Sequence, residues 1–160
     1  MCIELNTIIF TLLDFPTHEN MLLKSIDKFY ENEKYTNVLL YIINTKSNIS
    51  IRLIDYFITK YSKKNKIIYK INITNELVNI YQSYKQQLKT YQKKFFDPFA
   101  RGIKIPYIAN GICIITTIGQ LNFFKWFISK HIIEFILKNK DSIEADMNKN
   151  KKINILEKKK

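Results

Sequence analysis

Along the first seventy residues, apolar runs alternate with amphipathic stretches. Residues 7–13 (TIIFTLL) are a short β-rich run halted by Asp14, Phe15 and Pro16, a pattern that predicts a strand. Thr17 is placed to cap a helix, with Asn20 three residues on, and Met21, Leu22, Ser25, Ile26 and Phe29 then fall near one helical face. A second continuous apolar run, residues 37–43 (NVLLYII), predicts another strand. From about Ile49 a helix follows with Leu53, Ile54, Phe57 and Tyr61 in register, and residues 66–71 (KIIYKI) read as a third strand. This alternation predicts an α/β fold that opens with a small N-terminal βαβαβ layer on a parallel sheet.

From Thr74 or Asn75 the period changes. Leu77, Ile80, Tyr81, Tyr84, Leu88, Tyr91 and Phe95 recur every three or four residues, which predicts a long amphipathic helix ending before Pro98. Two β-rich runs then flank Asn110-Gly111, the favoured pair for a type I′ turn, and predict a hairpin. Thr117 and Gln120 form a capping box that opens a long apolar helix to about Leu137. Its apolar positions run almost all the way round, so it is either central or meets a partner. Asp141 to Glu144 (DSIE) is a further capping box, expected to start a short acidic helix.

Composition fits one domain. The chain has 160 residues, 46% hydrophobic and 14% aromatic, with only three glycines and three prolines. That is material for a core but leaves little room for a glycine-rich phosphate loop. The expected domain is residues 1–148, and 149–160 form a basic tail with few means of packing. Cys2, Cys113, His18 and His131 have no metal-ligand spacing, so no metal or other cofactor is expected, and the cysteine usage fits a reduced, intracellular compartment. The N-terminus lacks a basic signal-peptide region, and polar residues interrupt the longest apolar stretch, so neither a secretory signal nor a membrane span is expected.

Charge is unevenly placed. The net charge is +12; residues 85–130 carry eight basic groups and one acid, and residues 149–160 carry six lysines and one acid, leaving the remainder neutral. Lys85, Lys89 and Lys93 follow one another at i, i+4, i+8 and place three ammonium groups on one helix face. With Arg101, Lys104, Lys125 and Lys130 they are the candidate phosphate contacts, while solvent-facing lysines are the bland alternative. No acid, base or nucleophile constellation points to catalysis. FDPFARG (96–102) reads either as a corner anchored by Phe95, Phe96 and Phe99, Arg101 pairing with Asp97, or as a ligand-binding corner.

The stretches SYKQQLKTYQKKFFDPFARG (83–102), TTIGQLNFFKWFI (116–128) and IEADMN (143–148) resemble a family of short proteins of nucleocytoplasmic large DNA viruses, found in mimivirus-like and iridovirus-like genomes, some labelled immediate-early proteins. In that family a cysteine usually stands where this chain has Ala100, which argues against thiol chemistry here. The resemblance implies a viral origin and action inside an infected cell, in the cytoplasm or viral factory, the virion or the host nucleus, and brings no reaction with it. Ile115, Thr116, Thr117 and Trp126 also resemble, in layout, viral KilA-N-type DNA-binding domains. The expected function is a nucleic-acid-associated accessory or regulatory protein acting through its basic face without catalysis. The alternative is an interaction or structural module that forms a homo-oligomer, or meets a viral protein, through Phe123, Trp126 and Phe127 on the helix 118–138.

Overall fold

A computed structural model describes residues 2–44 and 47–159. Helices α1 (Cys2–Leu13), α2 (Thr17–Phe29) and α3 (Glu33–Ile43) come first. A continuous helical run follows: α4 (Ile51–Tyr56), a π-helical turn (Phe57–Tyr61) and α5 (Ser62–Lys64). Strands β1 (Ile68–Ile71) and β2 (Glu76–Asn79) lead into α6 (Ile80–Phe95), and β3 (Ile105–Ala109) and β4 (Ile112–Thr116) precede α7 (Ile118–Ser129) and α8 (Ile132–Lys158).

The mixed helix-and-sheet class holds, but the N-terminal βαβαβ layer does not form. Residues 7–13 lie within α1 and residues 37–43 within α3. Short apolar runs are ambiguous, and packing decides them here. On α1, Asn6 and Phe10 turn inward one helical turn apart while Leu5, Ile8 and Leu12 face out. On α3, Thr36, Leu39 and Leu40 are buried at helical spacing, and the Asn32 side chain caps the first turn by accepting from the Lys34 amide. The third predicted strand does form, as β1, but it pairs antiparallel with β2. Strand β2 takes Glu76–Asn79 from the start of the predicted long helix, so α6 begins at Ile80, capped by Asn79.

The Asn-Gly hairpin forms as expected: Asn110 and Gly111 both have positive φ, and Ile105 to Ala109 pair in register with Thr116 to Ile112. Helix α2 starts at Thr17 with Pro16 at the cap position and no side-chain cap. The predicted long apolar helix is two. Helix α7 ends at Ser129, His131 takes the left-handed conformation that commonly follows a helix end, and α8 departs. The DSIE box lies inside α8, just past a kink at Asn139, and α8 continues through the lysine-rich end to Lys158 with residues 151–159 exposed.

Helix α7 is the centre, packed by α2, α3, α6 and α8. Leu121, Phe123, Phe124, Trp126 and Phe127 are all buried on it, and Phe96 packs into this group, tilted at 5.1 Å from Phe123 and edge-on at 5.5 Å from Trp126, ring centre to ring centre. Polar ties fix the periphery. Asp146 of α8 accepts from Lys64 at 2.6 Å and from the Tyr56 hydroxyl at 2.5 Å, and these partners hold its carboxyl below the usual range. None of the helices among the described residues is long and apolar enough to cross a membrane.

Candidate nucleic-acid interface

The FDPF corner is built into the core. Phe96 and Asp97 are buried, and the Asp97 carboxylate accepts from the Phe99 amide at 3.0 Å and from two guanidinium nitrogens of Arg101 at 2.8 and 3.1 Å. The first turns of α7 hold this corner. Gln120 Nε2 donates to the Pro98 carbonyl at 2.9 Å, Asn122 Nδ2 to the Phe95 carbonyl at 2.8 Å, and the Asp97 amide to the Gly119 carbonyl. A Cβ on Gly119 would lie 3.0 Å from the Lys94 carbonyl. The stretches FDPF and TTIGQLN are therefore one physical unit, and the aromatic-anchored reading of the corner accounts for Phe96, Asp97 and Arg101.

The seven candidate phosphate contacts divide sharply. Arg101 is matched by Asp97, and Lys130 pairs with Glu76 at 2.5 Å. Lys125 is half-buried and donates to the Ser25 hydroxyl at 2.7 Å, with burial pushing its ammonium below the usual lysine range. Lys104 folds back onto the Ala100 carbonyl. These four have structural partners. Lys85, Lys89 and Lys93 of α6 are exposed, and none has an ion-pair partner among the described residues.

Two lysines that the sequence reading did not select join this row. The ammonium of Lys63 lies over the Tyr81 ring, 5.3 Å from its centre, and Lys85 is one helical turn further along α6 from Tyr81. Lys60, on the π-helical turn that packs against α6, acts together with Lys93 on the charge of Asp55. Burial, and then the Asp97 charge, push the Asp55 carboxyl above its usual range, while Arg101, Lys93 and Lys60 oppose that shift. Lys60 and Lys63 thus lie on the segment that packs against α6, the helix that carries Lys85, Lys89 and Lys93. Between Lys93 and the helix before it, Gln92 holds φ 58° and ψ 172°, a conformation costly for any residue but glycine, which breaks the lysine row at its corner end.

Phe123, Trp126 and Phe127, expected as an intermolecular contact, are 1%, 4% and 0% exposed. Their aromatic surplus is spent inside the chain, against Phe96, Tyr84 and one another. This corrects the expectation of an oligomer formed through that trio, because a side chain this deeply packed offers no surface to a second molecule.

Residues 11–160 match a family of unknown function, DUF7197. The chain belongs to that family. It is also 39% identical over 149 residues to the uncharacterized protein L507 of Acanthamoeba polyphaga mimivirus, an alignment covering 88% of this chain and 58% of the relative. The viral resemblance drawn from FDPFARG and TTIGQLNFF is thereby borne out for the DUF7197 chain, which spans little more than half the length of that relative. No solved structure matches it.

Proposed function

We propose that this DUF7197 protein is a viral nucleic-acid-associated accessory protein that grips phosphate backbones along the α6 face, without catalysis or cofactor. The observation that carries the reading is the convergence of Lys60 and Lys63 with Lys85, Lys89 and Lys93, side chains from two segments, none with an ion-pair partner among the described residues. Like charges one helical turn apart cost a few tenths of a kcal/mol, roughly, on an isolated helix. Asp55 acts on Lys60 and Lys93, while Lys85 and Lys89 are relieved when a polyanion supplies the counter-charge. The exposed end of α8, with Lys149, Lys151, Lys152, Lys158 and Lys159 against Glu157, extends the same chemistry as a loose second contact.

Contacts of this kind position a protein on a backbone and read no sequence, so modest sequence preference is expected. On this reading it works wherever viral nucleic acid is, in the cytoplasm or viral factory of the infected cell first. Fluorescence anisotropy with labelled duplex DNA, single-stranded DNA and RNA at low ionic strength tests it. The wild-type chain is expected to bind at least one of them, and Lys85→Gln/Lys89→Gln/Lys93→Gln to bind at least tenfold more weakly with unchanged circular dichroism. Absence of binding by the wild-type chain to all three overturns it.

A further inference from the structure

The β3–β4 hairpin has one closed edge and one open edge. In an antiparallel pair, alternate residues aim their backbone groups at the partner strand and away from it. On β3 the groups of Ile108 point away from β4, and the carboxamide of Asn6 on α1 takes both: Nδ2 donates to the Ile108 carbonyl at 2.9 Å and Oδ1 accepts from the Ile108 amide at 2.8 Å. Pro106, two residues earlier on the same edge, has no N–H. The register sets Ile108 opposite Cys113 and Pro106 opposite Ile115, so Cys113 and Ile115 aim their N–H and C=O groups outward from β4. None of these four groups meets a hydrogen-bond partner among the described residues, and no element packs along β4 as α1 packs along β3.

The side chains match the open backbone. Cys113 is exposed and Ile115 is 61% exposed. Residues 105–124 contain no aspartate, glutamate, lysine, arginine or histidine, in a chain whose net charge is +12. Proteins ordinarily blunt such an edge with lysine, proline, a bulge or a covering element. Here β3 has the proline and the cover, and β4 has neither.

We propose that β4 pairs antiparallel with β4 of a second copy of this chain about a two-fold axis, extending the hairpin to a four-stranded sheet. An outward-facing antiparallel edge is its own complement under two-fold rotation. Cys113 set opposite the partner's Ile115, and Ile115 opposite the partner's Cys113, exchange backbone bonds in both pairs. The occupant is a second copy because the charge-free hairpin is where two strongly basic chains meet without juxtaposing like charges, and because the edge offers no counter-charge to a charged peptide.

The test is light scattering after size exclusion on the full chain, nuclease-treated and at high salt so that nucleic acid cannot bridge copies. A short bismaleimide is applied in parallel to the Cys2→Ser background. The expected result is a mass of about twice 19.2 kDa with a covalent dimer through Cys113. Ile115→Lys is expected to weaken the dimer by more than tenfold and abolish the cross-link while keeping the wild-type helical signal. Cys113→Arg, on the same edge, serves should Ile115→Lys misfold, and is read by light scattering alone. A monomer at every concentration from micromolar to near-millimolar, or a dimer indifferent to both edge substitutions, overturns the proposal. Since nucleic acid is removed, its failure leaves the phosphate-binding reading untouched.

Discussion

Gln120 and Pro98 are bound to each other across the centre of the molecule: the Gln120 amide donates to the Pro98 carbonyl at 2.9 Å, while its own carbonyl receives the Thr116 hydroxyl at 2.7 Å. Both ends of a buried α7 side chain are thus engaged, one by the corner and the other by the end of β4. Gln120→Leu keeps the approximate volume and leaves the Pro98 carbonyl and the Thr116 hydroxyl buried without those partners. The Thr116 hydroxyl keeps only a long bond to the Thr117 carbonyl at 3.4 Å, and the expected loss is about 1–3 kcal/mol for the Pro98 carbonyl left unsatisfied, measured by urea unfolding.

Gly119 is required for close approach rather than for its backbone angles. With the Lys94 carbonyl 3.0 Å from a built Cβ and the Phe95 carbonyl carbon at 3.4 Å, Gly119→Ala must push the end of α6 away from α7. Overpacking of this kind costs about 1–3 kcal/mol. A denaturation midpoint equal to wild type would show that the corner yields freely.

Asp27 gives a pH signature. It is 8% exposed, and burial raises its carboxyl above the ordinary value of 3.8 despite hydrogen bonds from Tyr107 at 2.9 Å and Asn6 at 3.4 Å. A raised folded-state value means the folded chain holds this proton more tightly than the unfolded chain. Its contribution to stability is therefore full below the unfolded value and is lost as pH rises through the folded one. Asp27→Asn keeps an acceptor for Tyr107 without the buried charge. It is expected to melt at or above wild type at pH 7.5, with the advantage gone near the ordinary carboxyl value and below. A variant that melts well below wild type at pH 7.5 would mean that the carboxylate itself is needed.

Trp126 is 4% exposed and donates its indole N–H to the Ser83 hydroxyl at 2.9 Å. Trp126→Ala is therefore expected to cost about 3–5 kcal/mol of folding stability. At temperatures where it remains folded, its association state should match wild type. Selective loss of association without loss of stability would restore an intermolecular role to α7.

The elements readable in the sequence were those whose signals are local. The Asn110-Gly111 turn, the Thr117 cap with its bond from the Gln120 amide at 3.0 Å, and the 3.6-residue stripe of α6 depend on neighbours a few positions away. Helices α1 and α3 look like strands in the sequence because runs such as TIIFTLL satisfy either geometry. What selects the helix is packing at long range, such as Asn6 reaching Ile108, 102 positions on. The site divides on the same line. Lys85 and Lys89 are visible from their spacing, Lys93 lies past the break at Gln92, and Lys60 and Lys63 join only because the helical run 51–64 packs on α6. Lys125 and Lys130 look free in the sequence because their partners, Ser25 and Glu76, lie 100 and 54 positions away.

The central claim is that the α6 face, with Lys60 and Lys63, holds phosphates, and the slope of log K against log salt for a DNA duplex tests it most directly. Each phosphate neutralised contributes about −0.9 to that slope. Relative to wild type, Lys85→Gln/Lys89→Gln/Lys93→Gln should flatten the slope by about 2–3 and Lys60→Gln/Lys63→Gln by about 1–2 on the same basis. Lys125→Gln/Lys130→Gln, whose side chains are occupied by Ser25 and Glu76, should leave it unchanged. Equal slopes for the wild-type chain and the α6 variant, or a flattening produced only by the Lys125 and Lys130 substitutions, would contradict the account.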